Sequence, residues 1–215
     1  MASSPSISAG LPSPASTIGD AFGLGPLSGR LVEISGHRAS ANLTVAFGLV
    51  LEAQSKDEPV AWVTLSRSTF FPPDVADSGI DLTRLAVVRV SDGVAACRAT
   101  VELTRSGGFG LVVLDFGAGD FSEPVPRTRR KKGASLSVPF ITKLVGLAQK
   151  TSTAVVVLTE KTREASSLNS LISLRCEARR NPEHPCEIEI DVLKDKRRGP
   201  GRRYREVCRA PAGLC

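Results

Sequence analysis

The strongest constraint on the fold of this chain is a series of short, almost continuously apolar segments, separated by longer segments with one apolar side. Ala154-Val-Val-Val-Leu158 is a clear example. An apolar run of this length, rich in β-branched residues, is typical of a strand that is buried on both faces of a sheet. Because parallel neighbours need crossover connections, the alternation of such strands with helices predicts a mostly parallel central sheet flanked by helices.

The predicted elements alternate up to residue 159 and then change character. Strands are predicted at residues 30–35, 60–65, 85–90, 109–115 and 153–159, and helices at residues 43–54, 94–105 and 138–150. Three further strands follow without helices between them, at residues 168–177, 186–194 and 204–209. This closing meander predicts an antiparallel C-terminal extension at one edge of the α/β sheet.

Composition limits the class of protein. The chain has 215 residues, of which 41% are hydrophobic and 23% charged, as in a soluble domain of ordinary size. No apolar run approaches the ~18 residues that indicate a membrane span, and the Ser/Pro-rich start does not resemble a secretory signal. We expect a cytoplasmic protein without membrane association. Its core is predicted at residues 16–209, between a disordered N-terminal tail at 1–15 and a C-terminal tail at 210–215.

The cysteine pattern indicates no cross-linked framework. The five cysteines are Cys97, Cys176, Cys186, Cys208 and Cys215. Their odd number and the lack of a C-x-x-C pair favour neither a disulfide framework nor a zinc cluster. A metal site that combines His184 and Cys186 with Cys176 is the alternative, but we expect ordinary reduced thiols and no metal.

Basic residues are concentrated in two segments, although the net charge is only +6. Residues 127–132 hold five basic residues and no acid, and residues 194–209 hold eight basic residues and two acids. Such segregation is typical of a surface that binds a polyanion, so direct DNA binding is one hypothesis; a solvated charge run that aids solubility is the other. The candidate contacts for DNA or a protein partner are Arg127, Arg129, Arg130, Lys131, Lys132, Lys161, Arg163, Lys194, Lys196, Arg197, Arg198, Arg202 and Arg203.

A strand, a short turn and a helix, followed later by an apolar strand that ends in Asp115, are the layout of a phosphate-loop nucleotide-binding protein. The working loop reads G-x-x-x-x-G-K-[ST]. Its backbone N–H groups wrap the phosphates, its Lys neutralises the terminal phosphate and its hydroxyl holds magnesium. The corresponding stretch here consists of Gly36, His37, Arg38, Ala39, Ser40, Ala41, Asn42, Leu43 and Thr44.

Three of the four defining positions of this degenerate phosphate loop are changed. Ala41 resists the positive φ that the second Gly permits, Asn42 brings no charge, and Leu43 cannot coordinate a metal. Two alternatives remain open: weak nucleotide binding through Arg38 at the helix N-terminus, and a strand–turn–helix corner of a different α/β fold. We predict a protein without catalytic activity and without a bound cofactor.

Along residues 18–209 the chain resembles the ATPase core of RecA. The matching segments are Gly29-Arg-Leu-Val-Glu-Ile34, Val60-Ala-Trp-Val-Thr-Leu-Ser66, Gly79-Ile-Asp-Leu-Thr-Arg-Leu85, Leu111-Val-Val-Leu-Asp115, Val155-Val-Val-Leu-Thr-Glu160 and Lys194-Asp-Lys196. The resemblance implies a RecA-like core whose Walker B acid is Asp115 and whose catalytic Glu is replaced by Ser66. It also implies that Lys194 and Lys196 correspond to the lysine pair that RecA subunits present to ATP across the filament interface.

Among degenerate RecA relatives the chain most resembles the ImuA family. That family is encoded with ImuB, an inactive relative of Y-family polymerases, and with an error-prone DnaE-type polymerase; it is also related to the cell-division inhibitor SulA. The resemblance implies a non-catalytic accessory protein of the SOS response and translesion synthesis, with RecA, ImuB and the polymerase as partners. A SulA-like inhibitor of cell division is the alternative.

Overall fold

The computed structural model describes six stretches of the chain, which are residues 22–37, 40–66, 73–76, 78–116, 138–184 and 186–207. Both predicted tails and the basic segment at residues 127–132 lie outside these stretches, as do Arg38 and Ala39 of the degenerate phosphate loop.

The described strands form one eight-stranded sheet. In chain order they are β1 (Leu31–Gly36), β2 (Val60–Leu65), β3 (Leu85–Val90), β4 (Leu111–Asp115), β5 (Ala154–Glu160), β6 (Leu174–Arg180), β7 (Glu187–Asp195) and β8 (Arg203–Val207). Their spatial order is β3-β2-β4-β5-β1-β6-β7-β8. The first six pair in parallel and the last two antiparallel. The predicted sheet and its antiparallel extension are therefore confirmed.

One short helix precedes β1, and further helices and a short 3-10 turn lie between the strands up to β5. They are α1 (Leu24–Leu27), α2 (Asn42–Ser55), α3 (Pro73–Ala76), the 3-10 turn Leu82–Arg84, α4 (Gly93–Ser106) and α5 (Val138–Thr151). Local signals fix the ends of α4, because the Asp92 side chain accepts a bond from the Ala95 N–H and Gly107 takes a positive φ of 67°. Among the described helices, none is long and apolar enough to cross a membrane.

The sheet is buried on both faces. On one face α1 and α2 cover a core that includes Val32, Ile34 and Trp62. On the other face α4 and α5 cover a core that includes Leu31 and Val63. Neighbouring residues of one strand thus enter opposite cores, which is why these strands read as nearly continuous apolar runs.

Strand β6 begins at Leu174, so the prediction of a strand from residue 168 is wrong at its start. The backbone of the preceding segment is held by side chains instead of a neighbouring strand. The Leu168 N–H donates to Glu33 at 2.8 Å, and the Ser170 carbonyl accepts from the ammonium group of Lys194 at 3.1 Å. Apolar periodicity does not reveal such long-range bonds.

The expectation of reduced thiols throughout is also wrong, because Cys186 is disulfide-bonded. An odd number of cysteines leaves one unpaired but does not prevent others from pairing. Cys97 and Cys176 are free and buried, and burial raises the pKa of the Cys97 thiol to about 12. Within the described stretches, no group of three or more His, Cys, Asp or Glu residues is placed to hold a metal ion.

Candidate functional site

The degenerate phosphate loop joins β1 to α2 where the parallel strands end, and we call this side of the sheet the carboxyl edge. Strand β1 lies between β5 and β6, with Gly36 in register with Glu160 and Ser35 in register with Glu177. In open α/β sheets, ligands bind outside the carboxyl ends of the strands. The corner between β1 and α2 is therefore the place where a phosphate would be expected.

Backbone groups of this corner bond within the protein. The Ala41 N–H donates to the carbonyl of Ala178 in β6 at 3.1 Å, and the Asn42 N–H donates to the Ser40 hydroxyl at 3.2 Å. Ser40 also forms an isolated antiparallel bridge with Arg179. The φ angle of Ala41 is −107°, so the loop follows a path that needs no glycine here. Two N–H groups that a phosphate cradle would direct at its ligand are thus already paired.

Side chains fill the space above Gly36. A Cβ atom at Gly36 would collide with Ser40 Oγ and Asn42 Oδ1 and would lie 2.9 Å from the Ala178 carbonyl oxygen. Asn42 Nδ2 donates to the Thr159 carbonyl at 3.0 Å, so the residue at the lysine position of the loop ties α2 to β5. Within the described residues of the corner, the space beside Gly36 is therefore occupied by the chain itself.

The first turn of α2 offers little to a metal or a phosphate. Leu43 is exposed, and the Thr44 hydroxyl accepts a bond from Arg180 at 2.9 Å. His37 is exposed just before the corner. The hydroxyl of Thr44 therefore contacts a cation of its own chain.

Asp115 and Ser66 occupy the positions that the RecA resemblance assigns to the Walker B acid and the lost catalytic Glu. Asp115 is buried at the end of β4, where its Oδ2 accepts from the Thr64 hydroxyl at 3.3 Å. The Ser66 hydroxyl and N–H both donate to the carbonyl of Val90, at 3.0 and 2.8 Å. Ser66 thus continues the pairing of β2 with β3.

Glu33 lies in the middle of β1 and is completely buried. Its Oε1 accepts from Lys161 Nζ at 3.0 Å and from the Thr159 hydroxyl at 3.1 Å, while its Oε2 accepts from the Leu168 N–H. The Lys161 side chain is only 12% exposed. Lys161 is therefore the internal counter-ion of Glu33.

The segment after β5, residues 161–171, is fastened by two further cations. The guanidinium of the buried Arg175 donates to the carbonyls of Thr162 and Ala165. Lys194 Nζ donates to the carbonyls of this segment and to a hydroxyl group, at 3.1–3.4 Å. Burial, together with the nearby charge of Lys196, lowers the pKa of Lys194. Lys194 thus supports a loop, whereas Lys196 is exposed.

Arginines and carboxylates form a network on the face of β6, β7 and β8 that α2 does not cover. Asp191 accepts from Arg163 at 2.6 Å, from Arg179 at 3.1 Å and from Arg203 at 2.6 Å. Burial acts to raise the pKa of Asp191, but the bonds from Arg203 and Arg163 outweigh it and the pKa is lowered. The remaining members of the network are Glu177, Glu187, Glu189 and Arg205. Arg163 and Arg203 are therefore ion-paired within the chain.

The remaining candidate cations lie in the hairpin between β7 and β8. Because Asp195, at the end of β7, is in register with Leu174 at the start of β6, this hairpin lies at the amino edge of the sheet, opposite the corner. Its exposed members are Lys196, Arg197 and Arg198. Among the residues that the structure places, these three side chains make no ion pair. Arg202 reaches Asp195 at 3.9 Å.

The tertiary structure thus divides one basic segment into paired and unpaired cations, which the sequence does not separate. Sequence reasoning also did not identify the buried charged residues Glu33, Arg175 and Asp191, of which the two acids pair with candidate cations. For Glu33 the sequence contains one signal, because an acid inside an apolar strand needs a buried partner.

Comparison with known proteins assigns the fold to a family. The sequence model of the RecA N-terminal domain matches residues 6–165, which is more than half of the chain. The chain belongs to the RecA family. Its RecA-like sheet agrees with that membership, whereas membership of the ImuA family stays a prediction.

RecA proteins of several bacteria are distant relatives of this RecA-family chain. Protein RecA of Picosynechococcus sp. is 33% identical over 105 residues, which are 49% of this chain and 30% of that protein. Protein RecA of Leptospira biflexa is 25% identical over 204 residues, which are 86% of this chain and 50% of that protein. The chain therefore spans half or less of the length of these relatives.

Proposed function

We propose that this RecA-family chain is a non-catalytic accessory protein that binds RecA and modulates its filament during SOS mutagenesis and translesion repair. The internal bonding of the described residues in the corner between β1 and α2 carries the proposal. The N–H groups of Ala41 and Asn42 bond internally, and side chains fill the space above Gly36. A RecA-like subunit of this kind has a neighbour-binding fold without an ATP switch. ImuB and an error-prone DnaE-type polymerase are the further partners that we propose.

The position of the corner supports association with a RecA subunit through the opposite edge of the sheet. Subunits that join through different surfaces form open chains, in which one edge of each subunit meets the opposite edge of the next. In this protein its own atoms occupy the space at Gly36 on the carboxyl edge, which leaves the amino edge for association. A subunit with one competent edge ends such a chain, which is how it would modulate a filament.

Association with RecA is tested by a pull-down of RecA in the presence of nuclease, which removes bridging DNA, and by strand exchange with increasing amounts of this protein. We expect RecA to be retained and strand exchange to change with the dose. A protein with the same tag and no RecA-like domain is the control. Absence of retention together with unchanged strand exchange would reject the proposed function.

Loss of nucleotide binding is tested by the melting temperature. We expect it to stay constant as ATP and magnesium are raised to millimolar concentrations, because the N–H groups of Ala41 and Asn42 bond internally and Asn42 stands at the lysine position. A ligand at 100 times its Kd would add about 2.7 kcal/mol of stability, which corresponds to a shift of roughly 5–10 °C in a chain of this size. RecA measured alongside is the positive control. A dose-dependent rise in this protein would show that a nucleotide site survives.

A further inference from the structure

We propose that the β7–β8 hairpin, residues 195–202, binds the phosphodiester backbone of a nucleic acid. This inference goes beyond the proposed association with RecA. It rests on a division of the C-terminal basic segment, in which the cations on the sheet face are paired, whereas Lys196, Arg197 and Arg198 in the hairpin form no ion pair with a described residue.

The base of the hairpin is anchored in the core. The guanidinium of Arg30 bonds Asp195 Oδ1 at 2.6 Å, and both side chains are about 95% buried. The Lys196 N–H donates to the Ser173 carbonyl at 2.9 Å. Gly199 and Gly201 take positive φ angles of 78° and 93°, which side-chain-bearing residues rarely adopt. The turn therefore presents its side chains from a defined backbone.

The hairpin has an uncompensated positive charge. Its one acid, Asp195, is neutralised below the surface by Arg30. Lys196, Arg197 and Arg198 extend into solvent, and none of them forms an ion pair with a residue that the structure describes. Arg203, one strand position away from the turn, instead bonds Asp191 at 2.6 Å. Attraction of a polyanion is therefore strongest at the turn.

The surroundings of these cations favour phosphate over a protein partner. Protein interfaces rely on apolar or aromatic anchors, but the exposed large apolar side chains of the described residues all lie outside the hairpin. Tyr204, the nearest aromatic residue, is 4% exposed and is not available for base stacking. Arginine pairs bidentately with phosphate oxygens. The expected binding is therefore to the backbone and independent of sequence.

The test uses fluorescence anisotropy of a labelled duplex and of a labelled single strand of equal length, without RecA, over a series of salt concentrations. The variant is Lys196→Ala/Arg197→Ala/Arg198→Ala, whose altered side chains are exposed. We expect the wild type to bind more tightly at low salt, and the affinity of the variant to be lower by roughly tenfold or more. The slope of log K against log salt should fall by about 2–3, since each lost phosphate contact removes about 0.7–0.9.

The control is a second triple variant that removes the same number of positive charges from another part of the surface. Arg98→Ala/Lys143→Ala/Lys150→Ala removes three exposed cations from α4 and α5. We expect its affinity to stay within about threefold of the wild type, which is the range that long-range charge alone explains. Equal losses in the two variants would overturn the inference.

Three other outcomes also reject this site. The first is that the wild type does not bind nucleic acid at low salt. The second is that the hairpin variant binds as the wild type does, while Arg129/Arg130/Lys131/Lys132→Ala abolishes binding, and the third is that the wild type binds poly-glutamate but not nucleic acid. The RecA pull-down is carried out separately on the wild type and on the hairpin variant. A wild type that retains RecA but does not bind nucleic acid would reject the inference and leave the proposed function intact.

Discussion

Replacement of Asp195 by Ala is expected to lower the free energy of unfolding by about 3–5 kcal/mol, the usual cost of leaving a buried charge without its partner. Asp195 and Arg30 are 4% and 5% exposed, and their charged atoms are 2.6 Å apart. Removal of the carboxylate leaves the Arg30 guanidinium with its hydrogen bonds to the hydroxyl and carbonyl of Ser173, neither of which carries a charge. Urea denaturation with an unchanged m-value measures the loss.

The loss of unfolding free energy in Asp195→Ala depends on pH, and the sign of this dependence follows from the pKa of Asp195. Burial acts to raise the pKa of Asp195, but the Arg197 N–H and the Arg30 guanidinium outweigh it, and the pKa is lowered. A lowered pKa stabilises the fold above the unfolded pKa of about 4, and the stabilisation is lost as the pH falls through the folded pKa. The difference between wild type and variant should therefore be constant at neutral pH and shrink below pH ~4.

The matched control is Glu102→Ala, which breaks the exposed pair of Glu102 with Arg105 on α4. Exposed pairs contribute little, so this change should cost less than about 0.5 kcal/mol. Equal effects of Asp195→Ala and Glu102→Ala would show that the base of the hairpin is not anchored by its buried ion pair.

Lys161→Met is expected to cost about 3–5 kcal/mol as well, because it leaves the completely buried carboxylate of Glu33 without its counter-ion. A double-mutant cycle with Glu33→Met should give a coupling free energy of about 2–3 kcal/mol. Chemical denaturation of the wild type, both single variants and the double variant provides the four values.

Lys56→Met is the control, since Lys56 pairs with Glu52 on the surface of α2 with a side chain that is 51% exposed. Its cost should stay below about 0.5 kcal/mol. A coupling near zero between Glu33 and Lys161 would contradict the internal ion pair and return Lys161 to the residues that can contact an external partner.

Local sequence signals predicted most of the secondary structure. Helix α2 extends one residue beyond the predicted 43–54 at each end, and β2 has the predicted bounds. These elements depend on the local pattern of apolar residues, which acts over a few residues. The start of β6 was not predictable in this way, because the preceding backbone donates a bond to Glu33 and accepts one from Lys194, and both partners are distant in the sequence.

In the candidate site, too, some features are visible in the sequence and others depend on contacts between distant segments. The lost lysine of the phosphate loop is visible in the sequence as Asn42, but its bond to the Thr159 carbonyl needs β5 beside β1. The charge of Arg163 is equally visible, yet its pairing with Asp191 requires two segments that are 28 residues apart. The sequence shows which residues are cations, but it does not show which of them are free and which are paired.

The sequence by itself determined the alternation of strands and helices, the RecA resemblance and the altered phosphate-loop residues, because side-chain type and spacing along the chain are sufficient for these. Only the tertiary structure decided that the Ala41 N–H bonds to β6 and that Lys161 is the counter-ion of Glu33. It also decided that Arg203 is ion-paired while Arg197 is exposed. The reason is physical. Whether a polar group is free depends on the partners that the folded sheet brings to it from distant parts of the chain.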